Sequence, residues 1–347
     1  MEKKILVNYN LLRIFAIFLV IATHMLAGVW IADPAAQPTA WHIREIIRTI
    51  TLTSNGLFFM LSGRFILERF DGDIPGFYWK RIVKIGIPSL FAALLYYACN
   101  HGFSLAPAYF KDFFKGFLQA QVVGYLWFVL ALAGFYLSVP FLWRMFQHME
   151  KREFWLLLLV SLFYFAVQNL YQIFHMEQML TSYFLYSWVF YCILGFLLDR
   201  LDLTDGQVLG FLAAGLLGLF ISALEEIYFT GQNPAIYNYA PSMILMTMAV
   251  YLLVTRYGGF IARPLEKTIN FVSRYIFFVY LFHGMTHNFI FDYLVAPGTP
   301  GYVAWILLSL LSFCLALGLS IPVYHILYQP FCKALLSLPG RGKDLTS

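Results

Sequence analysis

Ten apolar runs, each near the length of a membrane-crossing helix, follow one another down the chain: about 9–32, 46–67, 81–99, 124–145, 154–173, 182–198, 208–228, 240–257, 270–291 and 302–328. About 20 apolar residues suffice to cross the hydrocarbon core of a bilayer. Lipid offers no hydrogen bonds, so each crossing segment must satisfy its own backbone, which runs of this length do as helices. The runs predict an all-α, polytopic integral membrane protein with about ten transmembrane helices. Composition agrees: 61% hydrophobic residues, 12% charged residues and a mean hydropathy of +0.72 exclude a soluble domain of 347 residues. No stretch is left for an appended soluble domain and no repeat emerges, so residues 1–347 read as one membrane-embedded domain. The first run lacks a small-residue cleavage site and is expected to be retained. Cys99, Cys192, Cys314 and Cys332 form no Cys-x-x-Cys pair and read as packing residues.

An even number of spans puts both termini on one side, and the cations say which. Eighteen of the 23 Lys and Arg fall at the termini and in the even-numbered loops, against Arg44, Arg48, Lys111 and Lys115 in the opposite loops. By the positive-inside rule both termini are cytoplasmic. The formal charge of +5 therefore reflects topology and implies no nucleic-acid partner.

Within the first run stand Arg13 and His24. Eleven residues at about 100° each return a helix to within about 20° of its starting direction, so both lie on one face, about 16 Å apart along the axis. Arginine and histidine are costly in a membrane segment and usually face a bundle interior, an aqueous cavity or a partner. Arg13 could instead snorkel to the interface, and a single histidine is often a satisfied structural residue. Ser62-Gly63 ends the second run beside Arg64, Arg69, Lys80, Arg81 and Lys84. That cluster suits phosphates, which guanidinium groups bind bidentately; it also reads as ordinary topogenic charge on a short loop.

In the ninth run His283 and His287 sit at i and i+4 on one helix face. No third ligand or acidic base stands at a diagnostic spacing, so no metal is expected. Trp127 opens the fourth run, where an interfacial anchor is equally natural. Glu225, with Tyr237 and Asn238 in the loop beyond it, could bind a carbohydrate acceptor or simply face water. No Gly-rich phosphate loop and no nucleophile elbow is present.

Together these motifs resemble the acyltransferase 3 family of bacterial integral-membrane acyltransferases, over nearly the whole chain. The resemblance rests on Arg13 and His24 in the first helix, Phe58-Phe-Met-Leu-Ser-Gly63, the segment from Phe77 to Pro88, Leu126-Trp-Phe128, and Tyr280-Leu-Phe-His283. Two positions depart from the common pattern, Arg64 after Ser-Gly and Tyr125 before Leu-Trp. The resemblance implies transfer of an acyl group, usually acetyl, from cytoplasmic acyl-CoA to a hydroxyl at the outer face of the bacterial cytoplasmic membrane. The implied acceptor is a surface polysaccharide or its lipid-linked precursor. Carried onto this sequence, Arg13, Arg64, Arg81 and Lys84 would hold the CoA phosphates, and Ser62 and Trp127 would line the groove. His24 would act as general base, and His283 would orient or polarise the reacting carbonyl. Two other classes stay open: a secondary transporter or exporter of a saccharide or amphipathic molecule, and a membrane sensor or scaffold.

Overall fold

The computed structural model of the protein describes residues 3–29, 36–180, 183–185, 188–229, 239–295 and 301–337. Among the described residues all regular structure is helical. The helices are α1 Lys3–Val29, α2 Pro38–Glu68, α3 Ile74–His101, α4 Pro107–Leu118, α5 Gly124–Phe146 and α6 Lys151–Ile173. They continue with α7 Val189–Leu198, α8 Asp205–Phe229, α9 Pro241–Tyr257, α10 Glu266–Ser273, α11 Ile276–Tyr293 and α12 Tyr302–Leu336.

Helix lies within each of the ten expected runs, the ninth being divided between α10 and α11. Among the described residues, seven helices are long and apolar enough to cross a membrane, α1, α2, α3, α5, α6, α8 and α12, while α7 and α9 are shorter apolar helices. Helix α11 is outside this group and carries His283, Thr286, His287 and Asn288 among its apolar residues. Outward-facing residues are large and apolar, as with Phe141 at 73%, Leu216 at 70% and Val303 at 70% exposure. An outside greasier than a soluble protein tolerates, around an inside holding Arg64, Gln168 and His283, is the arrangement lipid requires.

Local rules explain several of the helix ends and irregularities. The side chain of Asp73 caps α3 through the Gly76 N–H at 3.1 Å. Glu150 and Glu153 form a reciprocal capping box at the start of α6. Helix α3 contains a π-turn at Ile82–Gly86 and α12 one at Val323–Tyr328. Each turn holds the carbonyl four residues before a proline, Lys84 before Pro88 and Ile326 before Pro330. A proline lacks the N–H that this carbonyl would accept and its ring crowds it, so the ladder widens there. The ninth run is not one helix: the chain turns between α10 and α11, where Arg274 and Tyr275 donate to carbonyls three residues back, Phe271 at 3.3 Å and Val272 at 3.0 Å. Tyr275 is buried there, its hydroxyl 2.9 Å from His325 Nε2.

Helices α2 and α7 cross at backbone contact. A Cβ on Gly63 would strike the backbone of Cys192, and one on Gly195 would strike the backbone of Met60. In lipid, where apolar burial drives nothing, such close approach lets packing hold helices together. Beside this crossing Asp199, at the end of α7, accepts hydrogen bonds from Tyr9 of α1 at 2.5 Å and Tyr251 of α9 at 3.0 Å, and pairs with Arg64 of α2. One carboxylate thus ties four helices.

Candidate functional site

The bundle contains two cavities stacked along α1, a basic one at its Arg13 end and a histidine-lined one at its His24 end. The eleven-residue spacing that puts both side chains on one face of α1 sends each into a different chamber.

The basic cavity encloses about 350 Å³. Arg13 of α1, Arg69 of α2, Arg81 of α3 and Arg274 from the α10–α11 turn converge on it, and no carboxylate is among its lining residues. Arg69 and Arg274 are exposed at its mouth, and Arg13 and Arg81 are half-buried. Aromatic faces carry these cations: Arg13 lies 4.3 Å and Arg69 5.3 Å from the Phe65 ring centre, and Arg81 lies 5.0 Å from that of Phe77 and 5.5 Å from that of Tyr136. Stacking holds a guanidinium by its face and leaves its edge donors free. Arg13 donates to Asn10 Oδ1 at 2.9 Å, and Asn10 is in turn bonded to Asn270 of α10 at 2.8 Å. Four cations around one apolar-walled space repel one another and favour a multiply charged anion.

The histidine cavity encloses about 370 Å³ and is lined by His24 of α1, Tyr96 and Asn100 of α3, Tyr125 and Trp127 of α5, and His283, Gly284, His287 and Asn288 of α11. The rings of His24 and His283 stand 5.3 Å apart between centres, with Tyr125 packed 4.3 Å from His283 and 6.2 Å from His24. His24 is open to the cavity, whereas His283 is 1% exposed. His283 Nδ1 lies 2.5 Å from the Tyr280 carbonyl, which can only accept, so Nδ1 carries the proton. In the neutral ring Nε2 then holds a lone pair, and it has no hydrogen-bond partner among the described residues. Gly284 makes room for Tyr125, because a Cβ there would run into its ring. Tyr96 accepts from the Met285 N–H at 2.7 Å, and Trp305 of α12 donates to the Ala22 carbonyl at 2.8 Å, fixing α11 and α1 on either side.

The two chambers divide the residues named from sequence. Arg13, Ser62 and Arg81 line the basic cavity; His24, His283 and Trp127 line the other. The Ser62 hydroxyl donates back to Phe58 at 2.8 Å. Lys84 is exposed on the π-turn and lines neither cavity. Arg64 also lines neither: its guanidinium pairs with Asp199 and, at 3.4 Å, with Glu68. Glu225 is apart from both, its carboxylate accepting from Asn169 at 2.9 Å and Ser242 at 3.4 Å. Tyr237 and Asn238 lie outside the described residues. Arg274 enters the basic cavity although in sequence it is only one loop cation among several, and Tyr280 and Tyr125 join the walls through contacts no local pattern signals. Among the described residues no group of three or more His, Cys, Asp or Glu side chains is arranged to hold a metal.

A family model described as an acyltransferase domain, of the acyltransferase 3 type, matches residues 6–325, a stretch containing every lining residue of both cavities. The chain belongs to the acyltransferase 3 family. Among curated relatives, the Staphylococcus aureus (strain MRSA252) "Probable poly-beta-1,6-N-acetyl-D-glucosamine export protein" is 20% identical over 340 residues, covering 93% of this chain and 95% of the relative. A Staphylococcus epidermidis protein of the same description is 21% identical over 334 residues, 91% of each chain. No solved structure gives a significant match. Acyltransferase 3 membership and the outward-facing apolar helices together make this a multi-pass helical membrane protein of acyltransferase type, with relatives named for a polysaccharide.

Proposed function

We propose that this protein moves an acyl group, acetyl in the first instance, from acyl-CoA to a hydroxyl of a saccharide, across the bacterial cytoplasmic membrane with both termini inside. The observation that carries this reading is that one face of α1 delivers Arg13 to a basic chamber and His24 to a histidine chamber. Arg13, Arg69, Arg81 and Arg274 hold the phosphates of the donor, which places its thioester toward the wall between the chambers. The acceptor hydroxyl lies between His24 and His283. His24 takes its proton as the oxygen attacks the thioester carbonyl; collapse of the tetrahedral adduct breaks the C–S bond, and the departing CoA thiolate takes up the proton from His24. His283, with Nδ1–H committed to Tyr280, offers a lone pair at Nε2 and orients the acceptor by accepting a hydrogen bond. In this geometry the neutral ring cannot donate to the reacting carbonyl, so orientation is the role retained. The relatives' names support a polymer of N-acetylglucosamine, or its lipid-linked precursor, as the acceptor class.

Those same names favour a second reading, export of a polysaccharide. Against it stand two separate chambers with no lining residue in common. The test is release of free CoA from labelled acetyl-CoA by purified protein, wild type beside His24→Ala, with and without a cell-envelope saccharide extract. Saccharide-dependent label transfer that the variant loses is expected. Saccharide movement into vesicles with no thioester turnover would establish export instead.

A further inference from the structure

The wall between the chambers is a single aromatic layer. Phe128 faces the basic cavity and its neighbour Trp127 the histidine cavity; Tyr280 faces the basic cavity and His283, three residues on, the other. Three residues of helix span about 4.5 Å, so an acyl group at the Tyr280 level stands one ring's thickness from the histidines. On the basic side the rings of Phe128 and Tyr280 meet with centres 5.2 Å apart at 60°. The Tyr280 hydroxyl donates to the backbone carbonyl of Tyr125, pinning its ring across to the 3-10 turn that opens α5. Phe128 is backed by Phe59 at 4.7 Å, itself stacked 4.8 Å from Trp188. One side of the closure is braced by an aromatic stack; the other, Tyr280, is held by that hydrogen bond and by ring contacts with Tyr125 at 6.0 Å and His283 at 5.6 Å.

We infer that Phe128 and Tyr280 are specificity-determining residues, forming an aperture through which the acyl end of the donor reaches His24 and His283, narrow enough to restrict transfer to short acyl groups. This rests on the acyltransfer reading above. Rings in contact at protein packing density leave no chain-wide gap, so passage requires the Tyr280 ring to swing and its phenol to release Tyr125. A two-carbon group needs that opening only at its carbonyl. A longer chain holds the rings apart along its methylenes, losing the Phe128–Tyr280 contact for the whole residence of the donor.

The experiment compares acetyl-, butyryl- and octanoyl-CoA as donors for the full-length purified protein with a cell-envelope saccharide extract, in wild type, Phe128→Ala and the milder Phe128→Leu and Tyr280→Phe. Helical content and gel-filtration behaviour establish that each variant is folded. The wild type is expected to use acetyl-CoA and to discriminate against octanoyl-CoA, and the octanoyl-to-acetyl ratio is expected to rise about tenfold or more in Phe128→Ala, within the range one pocket contact commands. Phe128→Leu and Tyr280→Phe should raise it less. A wild type indifferent to chain length, or a ratio unmoved in every folded variant, would overturn the aperture while leaving acyl transfer standing. Absence of transfer from all three thioesters by the wild type would overturn the acyltransfer reading itself, and the aperture with it.

Discussion

The rings of His24 and His283 face one another with centres 5.3 Å apart and planes inclined by 36°, one open to the cavity and the other buried in its wall. If they serve one acceptor hydroxyl, His24→Ala should lose about 10²- to 10⁴-fold in acyl transfer, the range a positioned general base supplies. His283→Ala should also lose activity, and the double variant little beyond the worse single one, because groups acting as a unit are not additive. Initial rates of CoA release measure this. Losses that multiply would mean the rings act independently.

Arg13→Lys keeps the charge but gives up both the planar fork and the stacking on Phe65 at 4.3 Å. Donor affinity should fall about tenfold, or about 1.4 kcal/mol. Arg274→Ala should weaken donor binding too, although it lies at the mouth. Calorimetric titration with acetyl-CoA checks both; unchanged affinity in Arg13→Lys would leave that side chain a simple interface anchor.

Arg64 should behave differently from its neighbours in sequence. Its side chain is 10% exposed and that of its partner Asp199 9%, so Arg64→Gln strands a buried carboxylate that also holds Tyr9 and Tyr251. The expected cost is about 3 kcal/mol of stability, with donor affinity in surviving folded protein close to wild type. Thermal unfolding in detergent and donor titration, measured side by side, separate the two effects.

Gly284→Ala tests the seat of Tyr125. A methyl group there collides with the Tyr125 ring, and overpacking of this kind costs about 1–3 kcal/mol. Displaced Tyr125 no longer packs on His283, so acyl transfer should drop in a protein that still inserts and elutes normally. A fully active Gly284→Ala protein would show that Tyr125 can shift without consequence.

Much of this was legible in the sequence where the signal is local. Hydropathy marks where helices fall because each must shield its own backbone, and the helical repeat alone puts Arg13 and His24 on one face. Partners distant in the chain are not legible in this way. Arg64 is one of five neighbouring cations, and nothing near it reveals that Asp199, brought over by α7, engages its guanidinium. The break at Arg274 and Tyr275 interrupts an apolar run without glycine or proline, being set by tertiary contacts such as Tyr275 with His325. Trp127 and Phe128 are adjacent and alike in sequence, yet face opposite chambers.

Where Gly63 and Gly195 let α2 and α7 meet backbone to backbone, there is no side chain left to slide or rotate. That crossing behaves as a fulcrum. Phe59 and Phe128 lean on its flank, so the braced side of the chamber wall is anchored to a joint that cannot part without losing its packing. The breathing that admits a substrate is then expected on the opposite bank, where α11 is joined by hydrogen bonds to α3 (Met285 N–H to Tyr96), to α5 (Tyr280 to the Tyr125 carbonyl) and to α12 (Thr286 with Ser312).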